Sequence, residues 1–448
     1  MNHVFHRSLK TDLPVADHGD GCYIVDKTGK RYLDASGGAA VSCLGHSDPD
    51  IRKAMVEQTE RLAFVHSAFF TTETTEELAD TLIASGPAGM DRIYFVSGGS
   101  EAVESAIKMA RQYFIETGQP LRRRFIARTQ SYHGNTLGAL GVGSSLARRD
   151  PFAPMLGEFH HVSPCNLYRG KQDDETEAAY VARLASELEA KIEELGPESV
   201  AGFVAETVSG ASMGAMPPAA GYFKAVRDVC DKHGVLLILD EVMCGMGRTG
   251  TLHACEQDEI VPDLMTVAKG LGAGYQPLGA VFVSKPIAEA FMTGSGAFIN
   301  GYTYMGHAVA CAAALAVNRA IQNRDLLQNV RKMGALLDDA LQQQFGNHPH
   351  VGNIRGRGLF RGVELVADRV TRQPFDPKAG LNGRIKTHAM AQGLVCYPGG
   401  GTADGRAGDH VLLAPPFIIG ETEVALIVER LSAAIEAAVA EVKEPIAV

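Results

Sequence analysis

The stretch RIYFVSGGSEAVESAIKMARQYF, Arg92–Phe114, changes its hydrophobic period part-way along. Its first five residues form an apolar run without alternation, the pattern of a strand buried on both faces. In SEAVESAIKMARQYF the period becomes helical. Val103, Ala106, Ile107, Ala110 and Phe114 share one face, and Glu104, Lys108 and Arg111 lie opposite. Two glycines, Gly98 and Gly99, separate strand from helix. A strand, a tight glycine turn and an amphipathic helix are the building block of a parallel α/β sheet.

The same alternation continues through the middle of the chain. RRFIAR (123–128), SVAGFVAE (199–206), GVLLILD (234–240), LMTVA (264–268) and GAVFV (279–283) read as further strands, and AAYVARLASELEAKIEEL as a second helix. The end of the chain differs. RDLLQNVRKMGALLDDALQQQF reads as a long helix from about 324, IRGRGLFRGVELV and LVCYPGGG…HVLLAPPFII as strands, and ETEVALIVERLSAAIEAAVAEV as a closing helix. Near the start, GCYIVDKTGKRYLDA reads as a hairpin turning at Lys27–Gly29. The expected organisation is a large domain over 61–323 and a smaller α+β domain over 324–448. Residues 1–60 join the smaller domain or lie across a partner subunit.

The 448 residues are 46% hydrophobic and 21% charged, which is ordinary globular composition. Net charge is −10, and the longest basic cluster, Arg122–Arg124, has no interleaved aromatics, so nucleic acid is not an expected partner. No apolar run reaches the roughly 18 residues of a membrane span, and the first ten residues lack the apolar core of a secretory signal. The eight cysteines show no paired metal spacing, which argues against both a zinc site and a disulfide framework. A cytoplasmic chain without metal is the expectation.

Ligands of open parallel sheets bind beyond the carboxyl ends of the strands. There this chain places VSGGSEA, TQSYHGNT, ETVSGA, DEVMCGMGRTG and KGLGAG. Gly98, Gly99 and Ser100, opening a helix, suit a phosphate; they also suit a plain turn. Asp240 ends the most apolar strand, where its carboxylate is either paired or faces a ligand cavity. Glu241, pointing the other way, is expected to serve structure. Lys269 stands in VAKGLGAGYQPLGAVFV without a nearby acid, in surroundings that lower an amine's pKa and make it nucleophilic. Together a phosphate cradle, an aspartate, an aromatic and an amine match what pyridoxal 5'-phosphate needs for its phosphate, ring nitrogen and aldehyde.

The chain also resembles the class III pyridoxal-phosphate aminotransferases of fold type I, which include the ω-amino-acid transaminases. The resemblance runs from GKRYLDASGGAAVSCLGHSDP to LLAPPFIIGETEVALIVERL, through SGGSEAVESAIKMAR, SYHGNT, LILDEVMCGMGRTG, AKGLGAGYQPLGA and YTYMGHAVACAAALA. It implies that Lys269 holds the cofactor as an internal aldimine and then moves the proton. It implies that Asp240 pairs with the ring nitrogen, that Val242 and Tyr132 cover the ring's two faces, and that Gly99 and Ser100 hold the phosphate. Ser97, Gly98, His133 and Met243 complete the cofactor's surround. Glu206 lies near the ring hydroxyl and the substrate, and Thr303 reaches the phosphate of a neighbouring subunit. The implied assembly is a homodimer with shared active sites, or a tetramer.

The implied reaction moves an amino group from an amine or ω-amino acid to a 2-oxo acid by a ping-pong mechanism. Relatives using 2-oxoglutarate often carry an arginine where this chain has Val411. Arg406 instead matches the mobile, carboxylate-binding arginine of pyruvate users, which favours pyruvate. Ala39 and Ala40 stand where many ω-transaminases have tryptophan, and Thr207 where relatives have proline. Lyases, decarboxylases and isomerases of the same class share the lysine, aspartate and phosphate loop, so they form the alternative. GMGRTG (245–250) also satisfies a dinucleotide-binding pattern, but no long helix and no later strand-ending acid follow it.

Overall fold

The computed structural model describes residues 3–443. Its centre is a seven-stranded sheet. In spatial order the strands are Met90–Val96, Gly279–Ser284, Leu264–Val267, Leu236–Asp240, Val200–Glu206, Arg124–Arg128 and His160–Val162. Gly279–Ser284 runs antiparallel to both of its neighbours, whereas the remaining pairings are parallel. The six strands read from the apolar runs are all present. The seventh, His160–Val162, is three residues long and carries two histidines, so it offered no apolar run to read.

The unbroken apolar runs follow from burial on both faces. Along Val200–Glu206 every residue is buried. Val200, Phe203 and Ala205 pack into one apolar layer, and Ala201 and Val204 into the other. Leu237 and Leu239 likewise face the first layer, and Leu236 and Ile238 the second. Gly99–Glu116 closes the second layer with Val103, Ala106, Ala110 and Phe114, as its spacing predicts, while Ile107 is only partly buried.

Near the start of the chain, Tyr23–Asp26 pairs antiparallel with Arg31–Asp34. Arg31–Asp34 is joined in parallel by Leu394–Val395, so the first sixty residues and the last hundred share a sheet. A third sheet is built from Val351–Arg357, Phe360–Leu365, Asp409–Leu413 and Tyr397–Gly400. The helices Leu326–Phe345 and Glu421–Lys443 pack with these strands around one apolar core. Among the described residues no helix is long and apolar enough to cross a membrane.

Candidate active site

Five carboxyl-terminal strand ends of the central sheet open on one cleft of about 410 Å³. Ser97, Gly98, Gly99, Ser100, Tyr132, His133, Glu206, Asp240, Val242, Met243 and Lys269 all line it. Residues far apart in sequence meet because each follows a neighbouring strand.

Lys269 comes two residues after the strand Leu264–Val267. Its φ of 44° lies in the left-handed region, which costs an L-residue about 1–2 kcal/mol. Gly272 and Ala273 N–H groups donate back to its carbonyl and hold the turn. The side chain lines the cleft, and among the described residues Nζ makes no hydrogen bond or ion pair. Burial lowers its pKa to about 8, against the opposing pull of the Asp240 and Glu206 charges.

Asp240 is buried and held from three sides. Its Oδ1 accepts from Val242 N at 2.9 Å and Thr266 Oγ1 at 3.4 Å. Its Oδ2 lies 2.8 Å from His133 Nδ1. The other ring nitrogen of His133 is buried with no partner among the described residues. Glu206 spends both carboxylate oxygens on backbone: Tyr132 N at 2.7 Å and Gly210 N at 2.6 Å. It therefore fixes the loop that carries Tyr132, and burial raises its pKa.

The glycine loop is pressed against Val242. A Cβ on Gly99 would sit 2.6 Å from Val242 Cγ1, so only glycine lets the two meet. The helix Gly99–Glu116 starts here with no side-chain cap. Gly134, at φ 139°, packs as closely on Ser100, whose Oγ accepts from Asn135 N at 3.1 Å.

Other expected residues lie elsewhere. Thr303 is exposed and does not line its own chain's cleft. Arg406 is outside it too: its side chain is 68% exposed and its Nη2 is paired with Asp150 Oδ2 at 3.1 Å. Ala39 and Ala40 do not line the cleft, whereas the next residue, Val41, does. The reason is a reversed turn: Gly37, Gly38, Ala39 and Ala40 have φ of 53°, 58°, 71° and 64°. The sequence reading also passed over Gln276, Pro277 and Leu278, which line the cleft from within the Lys269 motif. Glu241 points away, as expected. It accepts from Thr207 Oγ1 (3.0 Å), Ala254 N (2.7 Å) and Cys255 N (2.7 Å). GMGRTG forms no nucleotide loop. Arg248 is buried there, donating to Leu359 O at 3.3 Å and Pro415 O at 2.5 Å.

The aminotransferase class-III family model matches residues 6–435. The chain belongs to the class-III aminotransferases. Members of this family depend on pyridoxal phosphate. An aminotransferase of Gibberella zeae is 48% identical over 417 residues, spanning 92% of this chain and 82% of that one. A thermostable (S)-enantioselective omega-transaminase from Thermomicrobium roseum superposes with a TM-score of 0.92 at 36% identity, covering 98% of this chain and 96% of that one. The omega transaminase of Pseudomonas jessenii in complex with PMP gives 0.91 at 34% identity, covering 97% of both chains. Fold type I and a transaminase-class enzyme are thereby established.

The cleft of this class-III aminotransferase fits its cofactor on its own chemistry. It offers an uncapped helix start beside Ser100 for a phosphate and, in Asp240, a cleft-lining carboxylate for a ring cation. It also offers a lone amine for an aldehyde.

Proposed function

We propose that this aminotransferase moves an amino group from an amine or ω-amino acid to a 2-oxo acid, pyruvate in preference to 2-oxoglutarate, in two half-reactions. The observation that carries the reading is the buried Lys269 amine, unpaired among the described residues, sharing one cleft with Asp240. Bound pyridoxal phosphate supplies an aldehyde for amine exchange and an electron-poor ring that stabilises charge when a substrate carbon loses its proton.

The protein's own residues supply the rest. Asp240, fixed by Val242 N–H and His133, would offer its carboxylate to the ring nitrogen. Gly99 and Ser100 would take the phosphate, and Tyr132 and Val242, which line the same cleft, would bound the ring. Lys269 Nζ, with a pKa of about 8, is neutral often enough near neutral pH to take a proton from the substrate carbon and return it. The preference for pyruvate rests on Val411, buried and apolar in Asp409–Leu413, which gives that strand no arginine for a second carboxylate.

Thr303 has a role only if a second copy supplies the cleft it reaches. Phe69, Phe70, Ile299 and Tyr304 are all strongly exposed, the kind of surface that a homodimer would cover. The eight cysteines are buried and unpaired, which supports a reducing, cytoplasmic location.

The test is a single half-reaction. Donor without acceptor should yield carbonyl product equal to the enzyme's active sites and then stop. Many turnovers without acceptor would instead make the protein a lyase or decarboxylase of the same class.

A further inference from the structure

Arg355 lies in Val351–Arg357, a strand of the third sheet, and is buried. Its Nη2 donates to Met213 O at 2.5 Å and its Nε to Gly214 O at 3.0 Å. Its Nη1 donates to Asn353 Oδ1 at 2.9 Å and to Glu364 Oε2 at 2.6 Å. Glu364, in the adjacent strand Phe360–Leu365, is fully buried, and its Oε1 accepts from Arg169 Nε at 2.5 Å. Arg169 belongs to the short helix Leu167–Gly170, outside the third sheet. One carboxylate is thus buried between two guanidiniums. Such a group gains little stability over apolar packing of the same volume, so its use lies in what it holds.

It holds the loop 209–216. Met213 and Gly214 are buried, and buried carbonyls need donors. Gly362 of the third sheet backs onto Gly214 so closely that a Cβ would overlap the Gly214 carbonyl oxygen. The near end of the loop is cleft wall, since Gly210 and Ala211 line the cleft. Gly210 O accepts from Gly214 N at 2.8 Å. Gly210 N donates to Glu206, whose other oxygen accepts from Tyr132 N. A run of hydrogen bonds therefore leads from Arg355 through Gly214 and Glu206 to the loop carrying Tyr132.

We infer that Arg355, braced by Glu364, is a positioning residue for the cofactor cleft: it fixes the loop 209–216 and, through Glu206, the placement of Tyr132. The inference rests on the cleft being the cofactor's seat and names what holds one wall of it. A planar guanidinium suits the task because it fixes the direction of two carbonyls and a carboxylate at once.

Arg357, two residues along the same strand, is the matched control. It pairs with Asp258 through two bonds of 2.7 and 3.2 Å, and neither residue lines the cleft. The experiment compares Arg355→Met with Arg357→Met as holoenzymes. Hydrogen exchange of the peptide 209–216 should speed up about tenfold or more in Arg355→Met, the worth of a lost charge-assisted hydrogen bond. It should stay within about twofold of wild type in Arg357→Met. Release of pyridoxal phosphate on dilution should accelerate in the same two proportions. Arg355→Lys should recover part of both, because it keeps the charge beside Glu364 without the fork. If Arg355→Met does not fold, the triple variant Arg169→Met, Arg355→Met, Glu364→Leu removes the buried charges together. It should fold and still show fast exchange and fast release. Equal changes in Arg355→Met and Arg357→Met, unchanged exchange at 209–216, or wild-type release by the triple variant would overturn the inference. If the wild-type cleft holds no pyridoxal phosphate, the reading of the cleft fails, and exchange at 209–216 still decides whether Arg355 fixes that loop.

Discussion

His133 Nδ1 lies 2.8 Å from Asp240 Oδ2, and both side chains are buried beneath the cleft. The pair joins the loop after one strand to the tip of another. Asp240 also lines the cleft, where a cationic group could meet its carboxylate. Asp240→Asn should weaken retention of pyridoxal phosphate about tenfold to 100-fold, the worth of a buried charge-assisted hydrogen bond. His133→Ala should do so less, because Val242 N and Thr266 Oγ1 still hold the carboxylate. Titration of the apoprotein, followed by cofactor absorbance, measures both.

Gly99 and Val242 are coupled through space. Gly99→Ala would place a methyl 2.6 Å from Val242 Cγ1 and push the phosphate loop outward. Cofactor affinity should fall about tenfold for overpacking of this size. Adding Val242→Ala should restore part of it. A double-mutant cycle with no coupling would show that this contact does not set the loop's position.

Thr207 has a partner that only the fold provides. Its hydroxyl donates to Glu241, whose burial pushes the carboxyl pKa up to about 7. Thr207→Val should cost about 1 kcal/mol of stability. Because the folded pKa of Glu241 is raised, the wild type loses stability as pH rises from about 4.5 to about 7. Removing a donor to the ionised form should steepen that loss. Denaturant melts at pH 5 and pH 7 check the sign.

Lys269 has the opposite linkage. Its folded pKa is lowered from 10.5 to about 8, so the unfolded chain binds more protons between those values. Apoprotein stability should therefore rise with pH across that window. The rate of cofactor uptake should climb through about pH 8 as the amine becomes neutral. Uptake that rises only near the ordinary lysine value would contradict the burial of this amine.

How much of this was legible in the chain depends on the kind of signal. Asp240 and Lys269 could be read because each is a charge at the end of an apolar strand, and burying such a charge needs a reason. The central strands were readable for the same hydrophobic cause. Arg355 was not, since nothing in IRGRGLFRG separates its three arginines until the fold lays one against Met213 and Gly214. Thr207 made no sense alone because its partner is 34 residues away. Val41 was missed because the left-handed turn at Gly37–Ala40 has no hydrophobic period. Arg406 was read by position in a motif, and a motif does not reveal that Asp150 already holds it.

The most direct measurement traps the cofactor on the protein. The holoenzyme is reduced with borohydride, digested and examined by mass spectrometry. The cofactor's mass should appear on the peptide carrying Lys269, and Lys269→Ala should lose both that adduct and amino transfer while still folding. An adduct on another lysine, or amino transfer by Lys269→Ala at near the wild-type rate, would contradict the role assigned to Lys269.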